Sequence, residues 1–288
     1  MKKDNVRHIN NWKEFSLIAD DLLAYNSFLF RGQSKSDWSL TPYLTRIFKK
    51  YHIKRKDALE IEKIALQSFR ENTKDILEFS KFSKYNDEVK WQIVWWEIMQ
   101  HYQTPTRLLD WTKCPYVALF FAVSDNIEKN GALFRFNDGY LNFIRNNRRI
   151  VKWPDIDLQL ELSNKRRTYE KSIYSFSSNV SIDRKINQKG CYTISTEITE
   201  NLDETHDKLA DKLMFEGVQG GNGKSIIKKY VIDKKLKPIL LKNLCSQKGI
   251  NTSYIYPDKG SSSGGLDKIG ELIKDDINSS CKIIDCNA

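Results

Sequence analysis

The segment of residues 91–123 constrains the fold most, because it joins two strongly apolar stretches through a short run of polar residues. Residues 87–102 carry apolar side chains nearly all the way round a helix, which indicates a buried helix. Pro105 disfavours helical backbone at the residue before it, so this helix must end there. Arg107–Asp110 then reads as a short strand, and Pro115 suits the first turn of another helix.

The periodicity of apolar residues predicts the remaining elements of the chain. The other predicted helices are 11–25, 56–78, 159–172, 236–248 and 266–275, and the other predicted strands are 27–32, 131–136, 190–194 and 226–232. Gly32, which ends one of these strands, permits a sharp turn or a close approach of two backbones. Because helices and strands do not alternate regularly, we predict an α+β fold with a mixed central sheet flanked by helices.

Several classes of protein are disfavoured by the composition. The N-terminus has no apolar core of a secretory signal, and the densest apolar run, WQIVWWEIM, is too short to cross a membrane. The five cysteines are scattered without a CxxC pair, which indicates neither a zinc site nor a disulfide framework. The sequence has no cluster of Asp, Glu and His residues that could bind a catalytic metal, which disfavours a metal-dependent nuclease. We therefore expect a cytoplasmic protein with no membrane association and no metal.

The net charge of +10 is compatible with a nucleic-acid partner. The basic residues are interleaved with acidic ones along most of the chain, as on a solvated surface, and the composition also fits an AT-rich genome. Scattered charge is a weak sign of a nucleic-acid site. We therefore expect only weak, non-specific binding to nucleic acid.

Polar side chains concentrate at the ends of the predicted helices and strands. Strand-to-helix turns expose such side chains, and helix starts favour anions. We predict that one cleft contains Arg31, His101, Arg107, Asp110 and Gln188.

A purely structural role is the alternative for each residue of this group. Arg31 and Asp110 can form a buried ion pair that joins two strands. His101 can stabilise the end of its helix, and Thr112 can cap the next one. Trp111 suits the core. The density of the polar cluster favours a site, since a pure core would contain Val and Leu instead.

Four stretches carry a resemblance to a known family. They are FLFRGQSKSDWSLTPYLTR (28–46), HYQTPTRLLDWTKCPYVALFFAV (101–123), INQKGCYTIST (186–196) and KKLKPILLKNLCSQKGINTSYIYPD (234–258). They resemble the FRG-domain family, named after the tripeptide at residues 30–32. The family usually has glycine where this chain has Gln103. The resemblance implies a single domain over 1–288, with core motifs in 28–136, an irregular insertion at 137–185 and a C-terminal part at 186–275.

A second resemblance is to the ADP-ribosyltransferases of the Arg–Ser–Glu class. Phe30-Arg31-Gly32 is similar to the arginine motif on their first strand, and residues 109–122 are similar to their second motif. The Ser-Thr-Ser sequence of that class is absent, and Asp110-Trp111-Thr112 stands near its place. Gln188 lies where the catalytic acid is expected, and Glu197 is the nearby substitute.

These resemblances imply an NAD-using, ADP-ribosyltransferase-like effector or toxin of bacterial or phage conflict. Arg31 and Arg107 would bind phosphate, His101 and Tyr102 would hold a ribose or the nicotinamide, and Asp110 or Gln188 would orient the reacting groups. Further ligand contacts would come from Gly32, Gln33, Thr106, Trp111 and Thr112.

The nature of the activity stays open at this stage. The enzyme would be an ADP-ribosyltransferase or an NAD glycohydrolase, with NAD as co-substrate and an unidentified protein or nucleic acid as acceptor. The alternative is a non-catalytic sensor module of a phage-defence system, which binds a nucleotide or nucleic acid in the same cleft.

Overall fold

The computed structural model of the chain describes residues 5–25, 27–75, 89–139, 173–177, 183–206, 226–257 and 266–286. The strands are β1 (Val6–Ile9), β2 (Phe28–Gln33), β3 (Leu109–Thr112), β4 (Gly131–Asn137), β5 (Ile173–Phe176), β6 (Gly190–Ser195) and β7 (Ile227–Ile232). The α-helices are α1 (Trp12–Leu23), α2 (Tyr43–Lys50), α3 (Arg55–Thr73), α4 (Val89–His101), α5 (Pro115–Val123), α6 (Asp183–Gln188), α7 (Lys237–Lys248), α8 (Thr252–Ile255) and α9 (Leu266–Cys286). A 3-10 turn at Lys234–Leu236 precedes α7.

The strands form one seven-stranded sheet in the order β1-β7-β4-β2-β3-β6-β5. β1 and β7 are parallel, and every other neighbouring pair is antiparallel. A regular α/β fold would have mainly parallel strands joined by long crossover connections. Most neighbouring strands here are antiparallel, and one pair is parallel, so the sheet is mixed. The predicted α+β fold with a mixed central sheet is therefore confirmed.

Helices cover the sheet through separate apolar clusters. On one face, Phe30 and Leu133 pack with α1, α5 and α7. On the opposite face of the same strands, Leu29 and Phe134 pack with Trp111. A third cluster joins α2, α3, α4 and α9 to β5 and β6. As expected from apolar side chains nearly all the way round the helix, α4 is buried from residue 95 to residue 99.

Two strand glycines let α5 lie unusually close to the sheet. A Cβ atom on Gly32 would stand 1.8 Å from the carbonyl oxygen of Ala118, and one on Gly131 would stand 2.3 Å from that of Ala122. Both contacts are with backbone atoms, which cannot rotate away. Of the two roles predicted for Gly32, the close approach is the one observed, since the strand continues to Gln33 instead of turning at the glycine.

Most predicted elements are present, with differences at their ends. The strand predicted at Arg107–Asp110 is wrong by two residues, because Arg107 is held by a helix before β3 begins. The last helix extends beyond residue 275, since Ile273, Ile277 and Cys281 continue its buried stripe. The strands β1 and β5 were not predicted. The helix predicted at 159–172 and most of the predicted insertion lie outside the described residues.

Candidate functional site

A cavity of about 520 Å³ opens where β2, β3 and β6 meet the ends of α4 and α6. Its volume falls within the range of typical small-molecule sites. The residues that line it are Phe30, Arg31, Gly32, Gln100, His101, Gln103, Asp110, Trp111, Thr112, Phe121, Gln188, Gly190, Cys191 and Tyr192.

Incomplete pairing between β2 and β3 brings Arg31 to this cavity. Within the described residues, the register joins the two strands only at Phe30 and Thr112. The carbonyl oxygen of Asp110 accepts a hydrogen bond from Arg31 Nη1 at 2.7 Å. The same nitrogen lies 3.8 Å from the Asp110 carboxylate. The arginine thus satisfies a backbone acceptor of β3 that β2 does not reach.

The Arg31 guanidinium is a partly desolvated positive charge. Burial lowers its pKa, the Asp110 carboxylate opposes this change, and the nearby charge of Arg46 adds to it. An arginine stays protonated in proteins and carries five N–H donors. Nη1 is the one Arg31 atom that hydrogen-bonds within the described part of the chain, so further donors can serve an anionic ligand.

Asp110 presents a carboxylate to the cavity from β3. Its side chain is 62% exposed, although it accepts a hydrogen bond from Gln100 Nε2 at 2.7 Å. Across the sheet, Asp110 pairs in register with Tyr192 of β6. A carboxylate beside a guanidinium can bind a ligand that carries both a negative group and hydrogen-bond donors or positive charge.

The C-terminal end of α4 forms another wall of the cavity. The amide of Thr104 donates to the carbonyl of Met99 at 2.9 Å, and that of Gln103 donates to the carbonyl of Gln100 at 3.1 Å. This is the Schellman pattern, and its left-handed residue is Gln103, with a φ of 63°. A left-handed position favours glycine, so Gln103 adopts a backbone conformation that is unfavourable for a residue with a side chain. The His101 ring lies in the last turn and packs edge-on against Tyr102.

The remaining wall of the cavity is formed by β3, α6 and β6. The Thr112 hydroxyl donates to the carbonyl of Gln188 at 2.6 Å and accepts from the amide of Cys114 at 3.0 Å. Gln188 Nε2 donates to the carbonyl of Ile255 at 3.1 Å. The indole of Trp111 donates to Thr193 Oγ1 at 2.8 Å. Thr112, Gln188 and Trp111 therefore border the cavity while they also hold its walls together.

The structure brings together most of the residues that the sequence predicts for one cleft. Arg31, His101, Asp110 and Gln188 line the cavity, and so do Gly32, Trp111 and Thr112. The alternative of a fully buried ion pair between Arg31 and Asp110 does not hold, because Asp110 remains largely exposed.

Arg107 does not belong to the cavity, which corrects its predicted place in the cleft. It forms a bidentate ion pair with Glu62 of α3, in which Nε lies 2.6 Å from Oε1 and Nη2 bonds Oε2. The two side chains are 2% and 7% exposed. The guanidinium also lies over the ring of Trp96, at 5.3 Å. Arg107 thus connects the loop before β3 to α3.

Four other candidate residues lie outside the cavity lining. Gln33 is buried and donates to the carbonyl of Ser39 at 3.2 Å. Tyr102 packs its carbonyl against Gly270 of α9. Thr106 is buried and donates its hydroxyl to Gln100 Oε1. Glu197, the substitute acid, is buried and accepts from the hydroxyl of Thr199 at 2.8 Å.

Sequence reasoning missed several residues that line the cavity. Gln100 had a detectable signal, since it is a polar residue in the last turn of this helix and directly precedes His101. Gln103 had one as well, because it stands where the resembled family has glycine. Tyr192 and Phe121 had none, because their place depends on strand pairing and helix packing.

Comparison with known proteins identifies one family. The model of the FRG domain matches residues 26–131, which span the elements from β2 to α5. Gln188 and Tyr192 come from beyond this range, so the matched segment supplies most of the cavity and a later part of the chain completes it. No curated protein and no solved structure matches the chain significantly.

Two further observations concern the described residues. None of the helices within them is both long and apolar enough to cross a membrane. Nor do these residues contain a group of three or more His, Cys, Asp or Glu side chains placed to hold a metal ion together.

Proposed function

We propose that the cavity binds NAD and that this protein, which carries an FRG domain at residues 26–131, is an ADP-ribosyltransferase-like effector of bacterial or phage conflict. One observation carries the proposal. Side chains from β2, α4, β3 and α6, namely Arg31, His101, Asp110 and Gln188, line a single cavity of about 520 Å³. This volume suits a nucleotide-sized ligand.

Arg31 is the group that recognises the pyrophosphate in this proposal. Guanidinium groups bind phosphate oxygens through charge-assisted, often bidentate hydrogen bonds. The donors of Arg31 other than those on Nη1 have no partner among the described residues. Its partial burial strengthens the attraction to an anion, since charges interact more strongly away from water.

Asp110 supports the bond cleavage. When the bond between the ribose C1′ and the nicotinamide nitrogen breaks, both bonding electrons move to the nicotinamide and neutralise its ring. Positive charge then develops on the ribose, as in other glycosyl transfers. The exposed carboxylate of Asp110 stabilises that charge by electrostatic attraction. A nucleophile from water or from an acceptor forms the new bond to C1′ and releases its proton to solvent.

The test combines NAD titration, nicotinamide release and thermal unfolding on Arg31→Ala and Asp110→Asn. Arg31→Ala is expected to abolish turnover at a cost of about 1 kcal/mol in stability, because it loses a partly exposed hydrogen bond. Asp110→Asn should retain the fold and lose about 100-fold in rate. Matched controls are Arg7→Ala and Asp21→Asn, since both residues are exposed and absent from the cavity lining.

The outcomes separate catalysis from simple binding. If wild-type protein binds NAD and never releases nicotinamide, with protein or nucleic-acid acceptors present, the catalytic part of the proposal is wrong and the nucleotide-sensing alternative applies. If NAD neither binds nor stabilises the protein, the cavity serves another ligand. A collapsed melting temperature in Arg31→Ala would give that arginine a structural role.

A further inference from the structure

A directional chain of hydrogen bonds leads from the protein interior to the Asp110 carboxylate. The amide of Leu108 donates to Thr106 Oγ1 at 3.3 Å. The Thr106 hydroxyl then donates to Gln100 Oε1. Finally, Gln100 Nε2 donates to Asp110 Oδ1 at 2.7 Å. Gln100 and Asp110 both line the cavity, whereas Thr106 is buried behind them.

The chemistry of each group sets the direction of this chain. A hydroxyl has one hydrogen to donate, and Thr106 directs it to the carbonyl oxygen of Gln100. The amide of Gln100 must therefore turn its NH₂ group toward Asp110. An N–H donor at this oxygen matches an ionised carboxylate, which only accepts hydrogen bonds. The chain thus presents Asp110 to the cavity as an acceptor.

The base of the chain is held firmly. The carbonyl of Thr106 accepts from the amide of Leu44 at 3.1 Å, which ties this loop to α2. The next residue, Arg107, forms the buried ion pair with Glu62 of α3. Gln100 is consequently supported from behind by a loop anchored to two helices, and its reach to Asp110 is fixed.

Among the described residues, charged and polar groups also stand near Asp110 or share its cavity. Arg31 Nη1 lies 3.8 Å from Oδ2, His101 lines the cavity from α4, and Tyr192 pairs in register from β6. Oδ1 accepts the hydrogen bond from Gln100, and the carboxylate, which is 62% exposed, keeps further acceptor sites for a ligand. An acceptor of this kind suits a group that donates hydrogen bonds or carries positive charge.

We infer that Gln100 is a positioning residue that holds Asp110 as a preoriented acceptor for a hydrogen-bond donor or cationic group of the ligand. This inference rests on the proposed function, in which that group is the nicotinamide-bearing ribose. It assigns a positioning task to Gln100, which lines the cavity, and to Thr106, which is buried behind it. Neither needs to touch the ligand to affect its binding.

The experiment has a ligand-free part and a ligand-bound part. Crystal structures of the wild type and of Gln100→Met, which keeps length but removes the hydrogen bonds, report the position of the Asp110 carboxylate. A double-mutant cycle with Gln100→Met and Asp110→Asn reports NAD affinity by calorimetry. The matched control is Gln67→Met, because Gln67 bonds Glu71 at 2.9 Å on the surface of α3, away from the cavity.

We expect the Asp110 side chain to leave its position in Gln100→Met. Each single variant should bind NAD about tenfold more weakly, as loss of one charge-assisted hydrogen bond implies. The double variant should be no weaker than Asp110→Asn alone, and Gln67→Met should change nothing. Thr106→Ser, which keeps the hydroxyl, should bind like the wild type, whereas Thr106→Val should resemble Gln100→Met.

Contrary results are distinguishable from failure of the proposed function. An Asp110 carboxylate that stays in place without Gln100 overturns the inference, whatever NAD does. Additive losses in the double variant overturn it as well, because Gln100 would then act independently of Asp110. Wild-type protein that ignores NAD while Asp110 moves in Gln100→Met overturns the proposed function and supports the positioning by Gln100.

Discussion

Arg107→Ala should destabilise this protein far more than Arg31→Ala, although the sequence predicts both arginines in the same cleft. Arg107 and Glu62 are 2% and 7% exposed and share two hydrogen bonds. Removing one partner of a buried ion pair leaves the other charge without compensation, which costs about 3–5 kcal/mol. Arg31 faces Asp110, whose side chain is 62% exposed and stays hydrated after the substitution. For that reason, Arg31→Ala should cost about 1 kcal/mol.

The pH dependence provides a second measure of the same ion pair. Burial raises the pKa of Glu62 above its ordinary value of 4.5, and Arg107 opposes this rise through its charge and its hydrogen bonds. Without Arg107, burial acts unopposed and the pKa of Glu62 rises further. A carboxyl with a raised pKa in the folded state favours folding while protonated, and this contribution is lost as the pH rises from about 4.5 through the folded-state pKa. Destabilisation by Arg107→Ala should therefore be smaller in acid and larger at neutral pH.

Urea unfolding of both variants at several pH values measures these effects. The double variant Arg107→Met with Glu62→Leu is the decisive control, because replacing both partners by apolar residues is often neutral or stabilising. Arg107 Nη1 lacks a hydrogen-bond partner among the described residues, so its burial is itself costly. Equal losses for the two arginine variants would refute the distinction. So would a double variant as unstable as Arg107→Ala.

Three further predictions concern the strand glycine, the helix end and the surface charge. Gly32→Ala should cost at least about 3 kcal/mol in urea unfolding, because its Cβ would stand 1.8 Å from the Ala118 carbonyl oxygen; a variant as stable as the wild type would contradict this close approach. Gln103→Gly should raise the free energy of unfolding by about 1 kcal/mol, since it relieves a φ of 63°, whereas Gln103→Ala should bring no such gain. Titration with duplex DNA should detect weak binding that falls steeply with salt, given the net charge of +10; sequence-selective binding that persists at physiological salt would contradict it.

Local signals in the sequence were sufficient for many of the elements and some of the site. Apolar periodicity and Pro115 located α5, and apolar side chains nearly all the way round the helix before Pro105 indicated that α4 is buried. Arg31 and His101 were candidates because polar residues at the ends of apolar elements are exposed to a cavity or to solvent. These signals depend on residues within a few positions of one another, so they need no knowledge of the fold.

The pairing of distant residues decided the remainder. Arg107 stands just before β3, a position that the sequence also allows for a residue of the cleft. Only the packing of α3 brings Glu62, 45 positions away, into contact with it. Gln100 reaches Asp110 because the loop between them turns back and is tied to α2 through Leu44. A buried charge is stable only beside an opposite charge, because it has lost its hydration. The packing of helices and strands, and not the local sequence, determines which residue supplies that opposite charge.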